Sequence, residues 1–152
     1  LAFAWMMGDL SDSDIPTALL LAVWAIALLY GLSLSRSLDA LLLGEKHATM
    51  LGVDVPKLRR TLLILASFVT AIAVTAAGTI GFVGLVIPHL MRLLFGSLHR
   101  MVLPASALGG GLLLMLADAA SRSVIAPAEL PVGVLTAMIG VPLFLWLLLK
   151  RT

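Results

Sequence analysis

Three histidines, His47, His89 and His99, are the residues best suited to hold a metal or to move a proton. Metal binding needs converging partners, usually His with carboxylate or thiolate at short spacing. Cysteine is absent, and His89 has no acidic neighbour within two turns of helix. His47 and His99 fall in different polar loops, so no metal site and no cofactor site is expected. His89 and Arg92 are spaced to share one helix face and suit hydrogen bonding to carbonyls or snorkelling near a helix end. Asp118 and Arg122 have the spacing of an ion pair along a helix. Arg122 reads either as that pair's partner or interfacial anchor, or as a docking charge for an acidic partner outside the membrane. No serine has a base beside it, no glycine-rich phosphate loop runs into a lysine, and no paired carboxylates sit in an apolar run. Catalysis is therefore not expected, and the chain does not read as an enzyme.

The run Gly81-Phe-Val-Gly-Leu-Val-Ile-Pro-His-Leu-Met-Arg92 sets a proline, a histidine and an arginine in sequence otherwise apolar enough for lipid. Unpaired charge and broken backbone hydrogen bonds are costly in hydrocarbon, so such residues face protein or water there. The elements around this run must supply that shelter. Of the 152 residues, 61% are hydrophobic and 12% charged, and mean hydropathy is +1.14. A soluble domain averages about 25% charged residues, so the composition is that of an integral membrane protein, with no nucleic-acid partner expected.

A spanning helix needs about 20 mainly apolar residues. Segments 16–35, 60–77, 103–122 and 131–149 qualify, and 79–96 reads as a short or irregular crossing weakened by Gly81, Gly84 and Pro88. The expected fold is an all-α transmembrane bundle of about five crossings. With the C-terminus inside, Arg36, Lys46, Lys57, Arg59, Arg60, Arg92, Arg100, Lys150 and Arg151 are cytoplasmic, nine of the ten basic residues. Only Arg122 lies outside, with Asp9, Asp12, Asp14, Asp118 and Glu129, as the positive-inside rule requires. Counting 79–96 as a crossing is needed for that bias. Ala71, Ala73, Ala76, Gly109 to Gly111, Gly133, Ala137 and Gly140 place small residues where membrane helices approach closely. The opening Leu-Ala-Phe-Ala-Trp reads as the tail of a preceding helix, so residues 1–152 are expected to be the C-terminal part of one longer transmembrane domain.

The segment 37–56 is long for a loop in so compact a chain. Leu38, Leu41, Leu42, Ala48 and Leu51 recur at near-helical spacing, with Gly44 and Gly52 as breaks. Two short amphipathic helices turning at Gly44 are predicted, either lying on the bilayer surface or docking a cytoplasmic partner.

Several blocks together resemble the FecCD-type permeases, the membrane subunits of ATP-binding-cassette (ABC) importers for iron-siderophores, haem and vitamin B12. They are Leu43-Gly-Glu-Lys-His-Ala-Thr-Met-Leu-Gly52, Gly78 to Arg92, His99-Arg100 with Leu103-Pro104, Asp118 with Arg122, Ala128 to Gly133, and Gly140-Val-Pro-Leu-Phe144. The resemblance covers nearly the whole chain. It implies a bacterial inner-membrane permease of about ten helices, of which this chain supplies the last five. It also implies a second permease copy, an ABC ATPase and a periplasmic or lipoprotein substrate-binding protein. Gly44, Glu45, Ala48, Leu51 and Gly52 would then form the ATPase-coupling element, and Arg122 would dock the binding protein. Gly81, Phe82, Gly84 and Pro88 would shape a short helix beside the pathway. Lys46 departs from the acidic pair that the family commonly carries at positions 45 and 46. A permease for zinc, manganese or molybdate, or a non-functional membrane fragment, remains the alternative.

Overall fold

The computed structural model describes residues 16–124 and 132–149, and every regular element among them is an α-helix. The first, α1 (Thr17–Ser33), follows Pro16 and has no polar face, as a helix in lipid or protein on all sides requires. It continues through Leu34 into α2 (Ser35–Leu42) with a bend of 51°. The bend has a local cause. Ser33 Oγ donates to the Tyr30 carbonyl at 2.6 Å and Ser35 Oγ to the Leu32 carbonyl at 2.7 Å. Hydroxyls that bond back to the preceding turn draw carbonyls out of the helical ladder and bend it.

A turn at Leu43 and Gly44 leads to the short α3 (Glu45–Met50). The longer α4 (Val55–Ala77) then starts on a strong signal: Asp54 Oδ1 accepts from the Lys57 N–H at 3.0 Å, and Pro56 occupies the first turn. Next come α5 (Val83–Phe95), α6 (His99–Val124) and α7 (Val132–Leu149). Packing centres on α6, which lies most extensively against α5 and also meets α7, α1 and α2. Val86, Ile87, Val102, Ala117 and Val132 are buried, whereas Leu21, Ile26, Ile64, Leu108 and Met115 are exposed. An apolar exterior of this kind is matched to lipid and to further protein rather than to water.

The expected bundle is present with shifted bounds. Among the described residues α4 and α6 are long and apolar enough to cross a membrane alone, and α1 with α2 makes a third candidate as a bent span. Segment 60–77 starts earlier, at Val55, because Asp54 and Pro56 set the helix start, so its basic residues ride on helix rather than loop. Segment 103–122 likewise begins at His99, which leaves Pro104 inside α6. The expected crossing 79–96 is a helix of only 13 residues. Its Pro88 does not break it, because the missing N–H removes one rung while both flanking turns are kept.

Close backbone approach falls at particular glycines. A Cβ on Gly109 would come within 3.2 Å of the Ile87 and Met91 side chains, and one on Gly140 would collide with Phe82. Gly81, Gly84 and Gly111 have open space at the same position, so contacts within this chain do not demand glycine there.

Candidate functional site

The polar end of the bundle is built by α2, α3, the start of α4 and the start of α6. Here the two predicted short helices are found, with glycines where the main chain needs them. Gly44 has φ 104° and ψ 155°, a combination open essentially to glycine alone. Gly52, at φ 81°, closes α3 in a Schellman motif. Its N–H donates to the Thr49 carbonyl at 3.0 Å, and the Val53 N–H reaches back to the Ala48 carbonyl at 3.0 Å.

Ala48 is 0% exposed, so it packs inside the loop and cannot be a contact residue for an outside partner. Leu51, with Leu42, Leu43 and Met50, is exposed instead, Met50 to 83%. Glu45 is held within the chain, its Oε1 2.5 Å from Arg59 Nη2 on α4. Both side chains are well exposed, so the pair adds little stability but fixes the direction in which α3 points.

A contact that local spacing does not reveal joins α2 to α6. The His99 main-chain N–H donates to Asp39 Oδ1 at 2.8 Å, and His99 Nδ1 lies 2.8 Å from the same oxygen. An ionised carboxylate only accepts, so Nδ1 carries the hydrogen of that bond. The first N–H groups of a helix lack partners within it, and a negative charge there is favoured by the helix dipole. Asp39 supplies both the acceptor and the charge from 60 residues away. The side chains are 14% exposed for His99 and 25% for Asp39. Burial pushes the Asp39 carboxyl up, but the bonds from His99 and its charge outweigh burial and hold it below the ordinary 3.8.

A carboxyl lowered on folding stabilises above its unfolded value and stops doing so as pH falls through the folded one. The Asp39–His99 contact should therefore hold from neutral pH down past the ordinary carboxyl value of 3.8 and open only at lower pH. Hydrogen exchange at the His99 amide checks this, and full protection retained well below that range would contradict it.

Asp39 also lines an open groove of about 700 Å³ with Leu32, Ser35, Arg36, Leu98 and Arg100. At the other end, Phe82 precedes α5 with φ 65°, and Pro88 stands within α5. Arg122 lies on α6, with its side chain outside the described residues, as are Glu129, Lys150, Arg151 and residues 1–15. No cluster of metal-binding side chains occurs among the described residues.

Apolar helices carrying a folded polar loop at one end define a polytopic membrane protein, since only fully paired backbone is stable in lipid. The chain belongs to the FecCD transport family, whose model matches residues 2–150. It is 43% identical over 148 residues to the hemin transport system permease protein HmuU of Yersinia pestis, covering 97% of this chain and 44% of HmuU. It is 48% identical over 152 residues to the Fe(3+) dicitrate transport system permease protein FecD of Escherichia coli K12, covering 98% and 47%. The cobalamin import system permease protein BtuC of Halobacterium salinarum is 48% identical over 153 residues, with 99% and 40% covered. A solved metal-chelate type ABC transporter, in an inward-facing conformation, superposes with a TM-score of 0.86 at 39% identity, covering 96% of this chain and 47% of that one. The chain thus spans less than half the length of these relatives.

Proposed function

We propose that the chain is the C-terminal half of one permease subunit of an ATP-driven importer in the bacterial inner membrane, carrying a metal chelate: an iron-siderophore, haem or cobalamin. The observation that carries this reading is the α2–α3 pair. It exposes Leu42, Leu43, Met50 and Leu51 at the polar end of the bundle that also carries the exposed Lys46, Arg59 and Arg100, which is where an ATPase partner would seat. ATP hydrolysis belongs to that separate chain. Movement of its surface displaces α2 and α3, and the helices re-pack to alternate the side on which the pathway opens. The C-terminus is cytoplasmic, in keeping with the charge bias. A second copy completes the pathway, and Arg122 on the opposite side receives a substrate-binding protein.

The test is reconstitution of the full-length permease with its ATPase and binding protein in vesicles, offering haem, ferric dicitrate and cobalamin in turn. ATP-dependent accumulation of one of these supports the reading, and accumulation of none overturns it. Arg122→Glu in the same system should weaken binding-protein affinity about tenfold, the scale of one exchanged interfacial charge. Unchanged affinity in a binding titration would remove Arg122 from that role.

A further inference from the structure

Within the coupling loop α3 packs mainly on its neighbours α2 and α4, and Glu45 reaches α4 through Arg59, whereas α2 also lies against α6. There Asp39 fastens the middle of α2 to the first residue of α6 by two hydrogen bonds to one oxygen. On its N-terminal side α2 meets α1 through a 51° bend, so the two do not form one straight rod. A groove opens beside Asp39, and the bonded pair adds a short, charge-assisted link to the packing of α2 on α6. α6 in turn lies against α5, α7 and α1.

We propose that Asp39 and His99 form a clasp that carries displacement of the coupling helices into α6 and so into the bundle, making them positioning residues for energy coupling. The proposal rests on the permease reading given above. Neither residue touches cargo or nucleotide. Asp39 acts through His99 by holding the α6 N-terminus to α2. When a partner surface shifts α2, α6 must follow while the two bonds last. Without them α2 pivots at the Ser33–Ser35 bend and the shift is dissipated. Charge-assisted bonds suit this task because they are short and directional.

The test uses the full-length permease with its ATPase and binding protein in proteoliposomes, reading cargo imported per ATP hydrolysed. His99→Ala should lower that ratio about tenfold, the factor for losing one hydrogen bond to a charged group, and Asp39→Ala at least as much, because it removes both bonds, while ATP hydrolysis and co-purification of the subunits persist. The double substitution should be no worse than Asp39→Ala alone. Asp39→Asn, which keeps an accepting oxygen, should recover part of the ratio. Unchanged ratios in both single variants would overturn the clasp, as would equal losses of uptake and hydrolysis. Should Asp39→Ala fail to assemble, His99→Ala and Asp39→Asn decide the matter, since both leave the main-chain bond to residue 39 available. Absence of uptake by the wild-type assembly would instead refute the permease reading.

Discussion

Gly140→Ala should destabilise the chain by about 1–3 kcal/mol, the usual cost of overpacking a fitted interior. The added Cβ would strike Phe82 at its own Cβ and stand 3.0 Å from its Cγ. A ring can rotate away from a new methyl group, and an apolar space of about 60 Å³ lies beside this one. The Cβ cannot, because it is fixed to a main chain already in the left-handed region at φ 65°. Relief must come from parting α5 and α7, or from moving Phe82 off the start of α5. Gly111→Ala is the contrasting change, since nothing stands within 4 Å of its Cβ position. There the higher helix propensity of alanine should leave stability unchanged or raise it by up to about 1 kcal/mol. Thermal unfolding in detergent separates the two, and equal melting temperatures for both variants would show that the Phe82 contact is not tight.

Gly44→Ala should uncouple the loop while leaving the helix bundle folded. At φ 104° and ψ 155° a side chain costs about 1–3 kcal/mol in backbone strain. The turn between α2 and α3 would relax into an ordinary conformation and re-aim the exposed Leu43, Met50 and Leu51. Under the proposed function, uptake per ATP should then fall about tenfold, since that strain brackets the 1.4 kcal/mol of one decade. Gly52 offers an internal comparison. Its left-handed position in a Schellman motif accepts asparagine as a second choice, so Gly52→Asn should keep most coupling. Full coupling in the Gly44 variant would mean that the angle between α2 and α3 is not what a partner reads.

Hydropathy located the apolar helices α1, α4, α5, α6 and α7, and the leucine spacing with Gly44 and Gly52 located the two short ones. Those features are local, so they are written in neighbouring residues. The errors were at helix starts. Asp54 and Pro56 start α4 at Val55, ahead of the apolar run that hydropathy alone marks from position 60. His99 and Arg100 likewise stand ahead of an apolar run, and here no local signal existed, because the group that lets α6 begin at His99 is Asp39 on another helix. The Phe82–Gly140 contact is equally long-range. Ala48, expected in the ATPase-coupling element, has its small side chain fully buried within that loop. Both positioning contacts found in the folded chain were therefore hidden from periodicity, while the exposed face they orient was not.

The brevity of α5 shifts a burden onto its ends. Its 13 residues rise about 20 Å, against a hydrocarbon thickness of about 30 Å. Backbone in lipid must be paired, so the remaining third of a crossing falls to the turns on either side. Gly78 and Gly96 begin to meet that need, their N–H groups bonding back to the Val74 and Arg92 carbonyls. If this segment crosses, it is the flanking turns, as much as the helix, that must be sheltered by neighbouring protein.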